Sequence, residues 1–279
     1  MTRAIEDIFD LDSYPLDRPD SDDYAELVAV SKSEWRTTGS FDLPGLIREA
    51  AVAHAAAELR QPMASAAYRH RQQHNIYFTD DTDVIPGDIA EARLVTSHQT
   101  LTCDQMAGSI IRSVYECNPL RHFIRRVLDL RKLYRMADPM ACLNVMAYAD
   151  GDQLGWHFDR AKFAVTILLQ EPIDGGQFEY RRGLRTADDP NYEGVRRVLA
   201  DQDGEIRQTI TSPGTMTVFS GFGSPHRVAP VIGEKERMMA VLSYMEEPDY
   251  AYGPEDRMRF YGRTSPDDPS PKRLAETPA

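Results

Sequence analysis

The sequence predicts an α+β protein with a mainly β core: a double-stranded β-helix, or jelly roll, buttressed by N-terminal helices. Two observations favour this fold class. Apolar, β-branched runs separated by glycine and proline turns, a pattern typical of antiparallel strands, fall in the second half of the 279-residue chain. Helix-like segments fall mostly in the first half. We therefore expect the helices to support a sheet formed by later residues.

We expect one domain with two flanking segments. Residues 1–22 are polar and acidic, with two prolines, and are predicted to form an extended arm. Residues 23–263 are predicted to be a single domain, with helical support over 23–135 and the jelly-roll core over about 140–247. Residues 264–279 are rich in proline, serine and charge, which predicts a disordered tail.

Individual elements follow from local signals. Acidic residues at 22–23 open a helix, since negative charge suits a helix N-terminus, and the alanine-rich stretch 46–59 reads as a packing helix. Residues 100–127 are predicted to be mostly helical. The charged insertion 181–208 is either a surface helix or a lid. A short helix over 255–261 would bring two aromatic residues over the mouth of a site.

Composition and charge narrow the function classes. The fractions of hydrophobic residues, 42%, and charged residues, 27%, are ordinary for a globular protein. The net charge of −12 argues against nucleic acid and anionic membranes as partners. The first ten residues are acidic where a signal peptide would be basic and then apolar, and no apolar run approaches the roughly 20 residues that span a bilayer. Three cysteines without paired spacing disfavour disulfides and zinc, so we expect a cytoplasmic enzyme.

A strand-like segment carries an imidazole and a carboxylate two positions apart. Because residues i and i+2 of a strand point the same way, His157 and Asp159 share a face. His226 follows a further strand-like run, 215–219, and is a third candidate ligand. On its own, a His-x-Asp pair is also typical of a strand histidine beside a surface acid. Two histidines and one carboxylate, however, form the facial triad that holds non-haem Fe(II) with positions open for oxygen and a co-substrate.

An arginine in a later apolar strand adds the second half of this prediction. Arg237 lies within the strand-like run 235–244. A buried, unpaired charge is very costly, so this arginine needs an anionic partner, and a guanidinium offers the bidentate geometry that suits a carboxylate. A dicarboxylate that chelates iron at one end and meets Arg237 at the other satisfies both requirements. We infer that this molecule is 2-oxoglutarate.

Five ordered motifs resemble those of the Fe(II)/2-oxoglutarate oxygenases. They are His157-Phe158-Asp159, Gly175-Gly176-Gln177-Phe178, Pro213-Gly214 to Phe219, His226-Arg227-Val228-Ala229-Pro230-Val231, and Arg237, which together cover roughly residues 140–245. The resemblance implies an Fe(II) centre at His157, Asp159 and His226 that uses 2-oxoglutarate and O2. It also implies that Arg237 anchors the far carboxylate of 2-oxoglutarate, with Thr166 and Asn144 as further contacts.

Finer features resemble the group of free-amino-acid hydroxylases and radical halogenases. Residues 151–159, 168–172 and 175–180 carry this resemblance. Halogenases of the group replace the metal carboxylate with glycine or alanine so that chloride can bind. Because this chain keeps Asp159, we expect oxidation of a C–H bond in a small free amino acid or derivative, by hydroxylation, oxidative cyclisation or desaturation. Succinate and CO2 would be released.

Four residues are candidates for substrate binding. In lysine-acting members of the group, an acidic residue close behind the metal motif holds the ammonium group, whereas this chain has Arg160, which suits a carboxylate, nitro or other acceptor group. Residues 68–78 read as a solvated loop, with the alternative that Arg71 or His74 lies over the iron and holds a substrate carboxylate. Ser243 is the fourth candidate.

Two other functions remain open on the sequence. A protein or peptidyl (prolyl-type) hydroxylase would need a long exposed groove, whereas lids would favour a small substrate. A non-catalytic jelly-roll binding module would have no need of the triad and Arg237 together. We expect a small-molecule partner, and a homodimer is left open.

Overall fold

The computed structural model describes residues 4–79, 85–209 and 211–269. The helices are α1 Ile5–Ile8, α2 Asp22–Thr38, α3 Glu49–Ala66, α4 Gly87–Ala90, α5 Ile110–Glu116, α6 Asn118–Val127, α7 Tyr192–Leu199 and α8 Pro254–Tyr261, with a 3-10 helix at Cys103–Met106. The strands are β1 Ser40–Leu43, β2 Tyr68–His74, β3 Leu94–Thr102, β4 Tyr134–Arg135, β5 Leu143–Tyr148, β6 Gln153–His157, β7 Ala164–Gln170, β8 Asp174–Gly175, β9 Phe178–Tyr180, β10 Arg207–Thr209, β11 Met216–Phe219, β12 His226–Val228, β13 Val231–Ile232, β14 Arg237–Leu242 and β15 Tyr244–Met245.

One large antiparallel sheet dominates the described part of the chain. Its strand order is β1-β11-β7-β14-β5-β3-β6-β12-β9-β10, and β2 pairs with β3. Two small ladders, β13-β8 and β15-β4, flank it. The sheet curls, and helices cover it, so the predicted fold class, a jelly roll buttressed by N-terminal helices, is confirmed.

Helices from the first half pack on the outside of the sheet. Helix α3 contacts β3, β7 and α5, while α2 contacts β1 and α6. The shared core includes Val114 and Phe123 on these helices and Val145 and Ile167 on the strands, all of which are fully buried. Burial of each such side chain stabilises the fold by about 1.5–3 kcal/mol. Among the described helices, none is long and apolar enough to cross a membrane.

The two flanking segments differ from the prediction where the structure describes them. Residues 4–21 include α1 and are packed, since Ile8, Phe9 and Leu16 are buried. These apolar side chains anchor a segment whose polar and acidic composition had suggested an extended arm. Residues 264–269 form a turn in which Asp268 accepts hydrogen bonds from the backbone and hydroxyl of Thr264. The rest of the predicted tail lies outside the described residues.

The supporting first half contains strands as well as helices. The stretch predicted as a solvated loop holds β2, which pairs along its whole length with β3. Alternation along β2 turns His70 and His74 inward and leaves Arg69 and Arg71 exposed. Strand β3 also continues to Thr102, into the region predicted to be mostly helical. The hairpin-like pair β2–β3 therefore forms part of the surface that surrounds the site.

Candidate metal centre and its two cavities

The three predicted metal ligands converge on two neighbouring strands. His157 ends β6 and His226 begins β12, and the two residues face each other across the antiparallel ladder with ring centroids 4.1 Å apart. Asp159 follows β6, and its Oδ1 atom lies 3.6 Å from Nε2 of each histidine. One ligand atom from each residue lies within 4.8 Å of the others. This is a compact set of two nitrogens and one oxygen.

Backbone carbonyls fix the tautomers of both histidines. Nδ1 of His157 donates to the carbonyl of Gly155 at 2.9 Å, and Nδ1 of His226 donates to that of Ser224 at 3.0 Å. Each Nε2 lone pair is therefore free to bind a cation. Burial lowers the pKa of His226 to about 4, which keeps its imidazole neutral at neutral pH.

The Asp159 carboxylate is ionised, and one of its oxygens lacks a hydrogen-bond partner among the described residues. Burial acts to raise its pKa, but the neighbouring histidines and Arg185 outweigh that effect, and the pKa is lowered. Its Oδ2 atom is buried and has no hydrogen-bond partner among the described residues. A buried carboxylate oxygen without a partner is costly, and a divalent cation would satisfy it. Two imidazoles and one carboxylate are the donor set that suits Fe(II).

Gly221 makes room for this carboxylate. The backbone N–H of Asp159 donates to the carbonyl of Gly221 at 3.1 Å, so the two chains run close together. A β-carbon at position 221 would lie 1.8 Å from Oδ2 of Asp159, far inside van der Waals contact. A side chain there would displace the metal carboxylate.

A cavity of about 150 Å³ extends from the triad to Arg237. Arg237 begins β14 opposite Tyr148 of β5, and its guanidinium lies over the Tyr148 ring, 5.8 Å from the centroid. Its side chain is 4% exposed, and none of the residues that the structure describes hydrogen-bonds or ion-pairs with it. Burial lowers the pKa of Arg237, as expected for a cation without an anionic partner. Thr166 and Thr217 also line this cavity.

The glycine pair predicted as a turn lets the backbone pass close to the Arg237 side chain. Gly175 and Gly176 both have positive φ, 69° and 65°, which L side chains rarely adopt. A β-carbon at 175 would lie 2.1 Å from the carbonyl oxygen of Pro230, and one at 176 would lie 3.0 Å from Cδ of Arg237. A side chain at either glycine would therefore displace the backbone at Pro230 or the side chain of Arg237.

A larger cavity, of about 260 Å³, meets the first at the triad. His157 and Asp159 line both cavities, as do Met146 and Leu154. Its other walls come from β2 and β3, from the first part of β5 and the end of β14, and from residues 158–161 and 163–164. Tyr252, which precedes α8, and Phe260 and Tyr261, which belong to α8, complete the lining. The metal site is thus reached from two differently lined spaces.

Comparisons with known proteins identify the family. A family model described as "HalD: Halogenase D" matches residues 24–257. The chain belongs to the halogenase D family. This confirms the enzyme superfamily predicted from the motifs, the Fe(II)/2-oxoglutarate oxygenases, and the His157, Asp159 and His226 triad fits the predicted iron cofactor. No curated protein matches the sequence.

Solved structures share the fold of this halogenase D family member at low identity. SnoN, an alpha ketoglutarate dependent epimerase from nogalamycin biosynthesis, is 15% identical with a TM-score of 0.54, covering 79% of this chain and 81% of SnoN. AviO1 from Streptomyces viridochromogenes is 15% identical with a TM-score of 0.54, covering 79% and 95%. HygX from Streptomyces hygroscopicus is 13% identical with a TM-score of 0.52, covering 77% and 86%.

The remaining predicted co-substrate residues lie in different cavities of the halogenase D family chain. Thr166 lines the smaller cavity together with Arg237. Asn144 instead lines the larger cavity, so its contact with 2-oxoglutarate stays a prediction that the position of Arg237 does not support. Its Oδ1 atom accepts a hydrogen bond from the Tyr261 hydroxyl at 3.0 Å, which ties β5 to α8. Asn144 and Tyr148 do share a strand face, but that face runs from one cavity to the other.

Of the four candidate substrate residues, two line the larger cavity and two line neither cavity. Arg160 and Ser243 line the larger cavity, with Arg160 more than half exposed and paired with Asp256 at 3.1 Å. Arg71 lies on the exposed outer face of β2, away from both cavities, because strand alternation turns it outward. His74 is buried but lines neither cavity, and its ring nitrogens bond to Thr96 and to the backbone of the next residue at 2.8 Å.

Sequence reasoning missed three polar residues of the larger cavity. His70 and Gln72 on β2 and His98 on β3 all line it. The period-two alternation of His70, Gln72 and His74 was the available signal, but the polar composition of the stretch suggested a loop.

Proposed function

We propose that this protein is an Fe(II)- and 2-oxoglutarate-dependent oxygenase that oxidises a C–H bond of a small free amino acid or derivative. The observation that carries the proposal is the pair of cavities that meet at the His157, Asp159 and His226 triad. One of them ends at Arg237, a buried cation without an anionic partner among the described residues. For hydroxylation the balance is R–H + 2-oxoglutarate + O2 → R–OH + succinate + CO2.

The smaller cavity suits the co-substrate. Iron(II) with 2-oxoglutarate and oxygen supplies the oxidising power needed to break an unactivated C–H bond. Nε2 of both histidines and the Asp159 carboxylate would hold the cation. Arg237 would donate to the far carboxylate of 2-oxoglutarate, and Thr166, which lines the same cavity, would offer a hydroxyl. The charge of that carboxylate offsets the buried guanidinium.

The larger cavity suits the substrate. Its aromatic walls, which include Phe158, Tyr252 and Phe260, exclude water and position a carbon near the triad. At its edge, Arg160 and Asp256 present opposite charges 3.1 Å apart. Opposite charges at this spacing complement the carboxylate and ammonium groups of a free amino acid.

Oxygenation is favoured over halogenation even though the family is described by a halogenase. Halogenases of the group that this chain resembles lack the metal carboxylate, whereas Asp159 lies 3.6 Å from both histidine nitrogens. Its Oδ2 atom fills the space next to Gly221. A chloride ligand would have to compete with this carboxylate.

A small substrate is favoured over a protein side chain. Residues from α8 and the segment before it line the larger cavity together with strands from the sheet, which matches the lid arrangement expected for a small molecule. Two proteins of similar fold were solved with small molecules: SnoN with nogalamycin RO and HygX with hygromycin B.

The test is co-substrate turnover across a panel of free amino acids. Anaerobic protein is loaded with Fe(II) and 2-oxoglutarate, oxygen is admitted, and succinate is quantified. We expect succinate formation coupled to loss of one amino acid, and no such turnover in His157→Ala. Slow succinate formation that no amino acid accelerates would refute the substrate class, and absence of 2-oxoglutarate binding would refute the role of Arg237.

A further inference from the structure

One wall of the larger cavity is built from two paired strands. His70 and Gln72 on β2 lie opposite His98 and Thr96 on β3 in the antiparallel register. All four side chains line the cavity, and we call them the β2–β3 wall. Phe260 of α8 packs near the wall, with its ring centroid 6.5 Å from that of His70.

Two members of the wall have unmet hydrogen-bonding capacity. His70 is 4% exposed, and its ring stacks on His98 at 5.1 Å, but none of the described residues hydrogen-bonds to its nitrogens. Nε2 of Gln72 is buried without a partner in the same part of the chain. Buried polar groups are normally hydrogen-bonded because leaving them unpaired is costly. Both groups face a space that a substrate would occupy.

The wall is uncharged. Burial lowers the pKa of His70 to about 4 and that of His98 to about 3, so both imidazoles are neutral at neutral pH. Among the described residues that line the cavity, the metal ligand Asp159 is the only acid and Arg160 the only arginine or lysine. Arg160 is half exposed and already paired with Asp256. Arg259 of α8 lies near His70 and contributes to its lowered pKa, but it does not line the cavity. A substrate ammonium or carboxylate placed against the wall would therefore meet no counterion among the lining residues.

We propose that the β2–β3 wall is the specificity-determining surface of the cavity and that it binds an uncharged, hydrogen-bonding group of the substrate. The inference rests on the proposed oxygenase function and names its substrate class. The Gln72 amide donates, and a neutral imidazole offers one donor and one acceptor. A carboxamide presents both an acceptor oxygen and donor hydrogens, so a side-chain amide is the best match. The charged ends of the amino acid would then lie toward Arg160 and Asp256.

The experiment compares side chains of similar size and different charge. Glutamine, glutamate and ornithine are titrated by calorimetry into anaerobic protein loaded with Fe(II) and 2-oxoglutarate. We expect glutamine to bind at least about tenfold more tightly than either charged analogue. The variant Gln72→Glu, which replaces the amide by a carboxylate of the same shape, is expected to reverse the order of glutamine and ornithine.

Two further variants complete the design. Gln73→Glu introduces the same charge on the exposed face of β2 and is expected to leave the order unchanged. Gln72→Met removes the amide without adding charge and is expected to weaken glutamine binding by about tenfold, which covers the case in which Gln72→Glu does not fold.

The outcomes separate this inference from the proposed function. Amino-acid-dependent succinate formation with preference for a charged side chain, or an unchanged order in Gln72→Glu, overturns the role of the wall and leaves the oxygenase standing. Binding of none of the amino acids, with no acceleration of succinate formation, overturns both.

Discussion

At the scale of single residues, the position of the Asp159 carboxylate depends on the absence of a side chain at Gly221. We expect Gly221→Ala to lower Fe(II) affinity by about tenfold to a hundredfold, the loss typical of disturbed support around a metal ligand. The physical reason is that the added carbon would meet Oδ2 of Asp159 at 1.8 Å. Anaerobic Fe(II) titration measures the effect. Gly204→Ala, where nothing lies within 4 Å of the new carbon, is the control, and equal affinities in the two variants would contradict the account.

Arg237 is the second residue on which the site depends. Arg237→Leu is expected to weaken 2-oxoglutarate binding by about tenfold or more, since it removes a charged hydrogen bond worth about 1.5–3 kcal/mol. Fe(II) affinity is expected to stay the same, because the guanidinium lies at the far end of the smaller cavity. Calorimetric titration of 2-oxoglutarate checks the first point, and a separate anaerobic titration of Fe(II) checks the second. Unchanged 2-oxoglutarate affinity would show that the dicarboxylate is held elsewhere.

Residues could be predicted from the sequence where spacing alone fixes direction. The spacing of two between His157 and Asp159 indicated that both side chains point toward one site, although β6 ends at His157. A buried cation such as Arg237 demands an anion wherever its strand lies. The direction of the Arg71 side chain could not be predicted in this way, because it depends on the register of β2 with β3, which no local pattern supplies. Asn144 lies on the expected face but in the other cavity, since position along β5 decides which space it reaches.

At the scale of elements, one buried acid fixes α8 over the larger cavity. Asp138 is fully buried and accepts hydrogen bonds from the backbone of Tyr252 and from Nε of Arg257, each at 2.9 Å. We expect Asp138→Ala to lower the free energy of unfolding by about 3 kcal/mol, because it leaves a partly buried arginine unpaired. Urea unfolding measures this loss, and faster proteolysis near residue 253 would report the loosened helix. Wild-type values for both would contradict the proposed anchor.

A second ion pair joins β2 to the turn before the metal strand. Asp152 is buried and binds both terminal nitrogens of Arg69, at 2.5 and 2.7 Å. Burial acts to raise the Asp152 pKa, but the hydrogen bonds from Arg69 and Ser97 outweigh it and lower the pKa. A lowered folded-state pKa stabilises the fold above the ordinary value of 3.8, and this contribution is lost as the pH falls through the folded value.

The pH dependence of unfolding tests this pair. Asp152→Asn is expected to cost about 1–2 kcal/mol at pH 7, because half-exposed Arg69 is partly screened by water. The stability difference between wild type and variant should begin to shrink below about pH 4, where Asp152 of the unfolded chain takes up a proton, and should be lost once the pH falls below the lowered folded-state pKa. A difference that stays constant down to acid pH would contradict the role of the charge.

Elements with clear periodicity were predictable, and elements held by distant partners were not. The short helix over 255–261 and the strands around the metal motif follow local signals and are present as α8, β6 and β7. Strand β2 is rich in arginine, glutamine and histidine, and it is a strand because β3 lies beside it. Likewise, Phe9 is buried by contacts with residues far along the chain, including a backbone bridge to Ile47, which an acidic segment gives no reason to expect.

At the scale of the whole molecule, one curled sheet supplies both cavities. Strands β5 and β14 run beside each other, with Arg237 at one end of the pair and Asn144 and Leu242 near the other. The triad on β6 and β12 lies between these ends, at the junction of the two cavities. This arrangement allows co-substrate and substrate to approach the same metal from different sides.

The most direct test of the central claim is the composition of the product. The amino acid that most accelerates succinate formation is turned over under isotopically labelled oxygen in the presence of chloride, and the product is examined by mass spectrometry. The account predicts either one labelled oxygen atom in the product or the loss of two hydrogen atoms, with no chlorine. A chlorinated product would contradict oxygenation at a site that keeps Asp159, and an unaltered amino acid would contradict the substrate class.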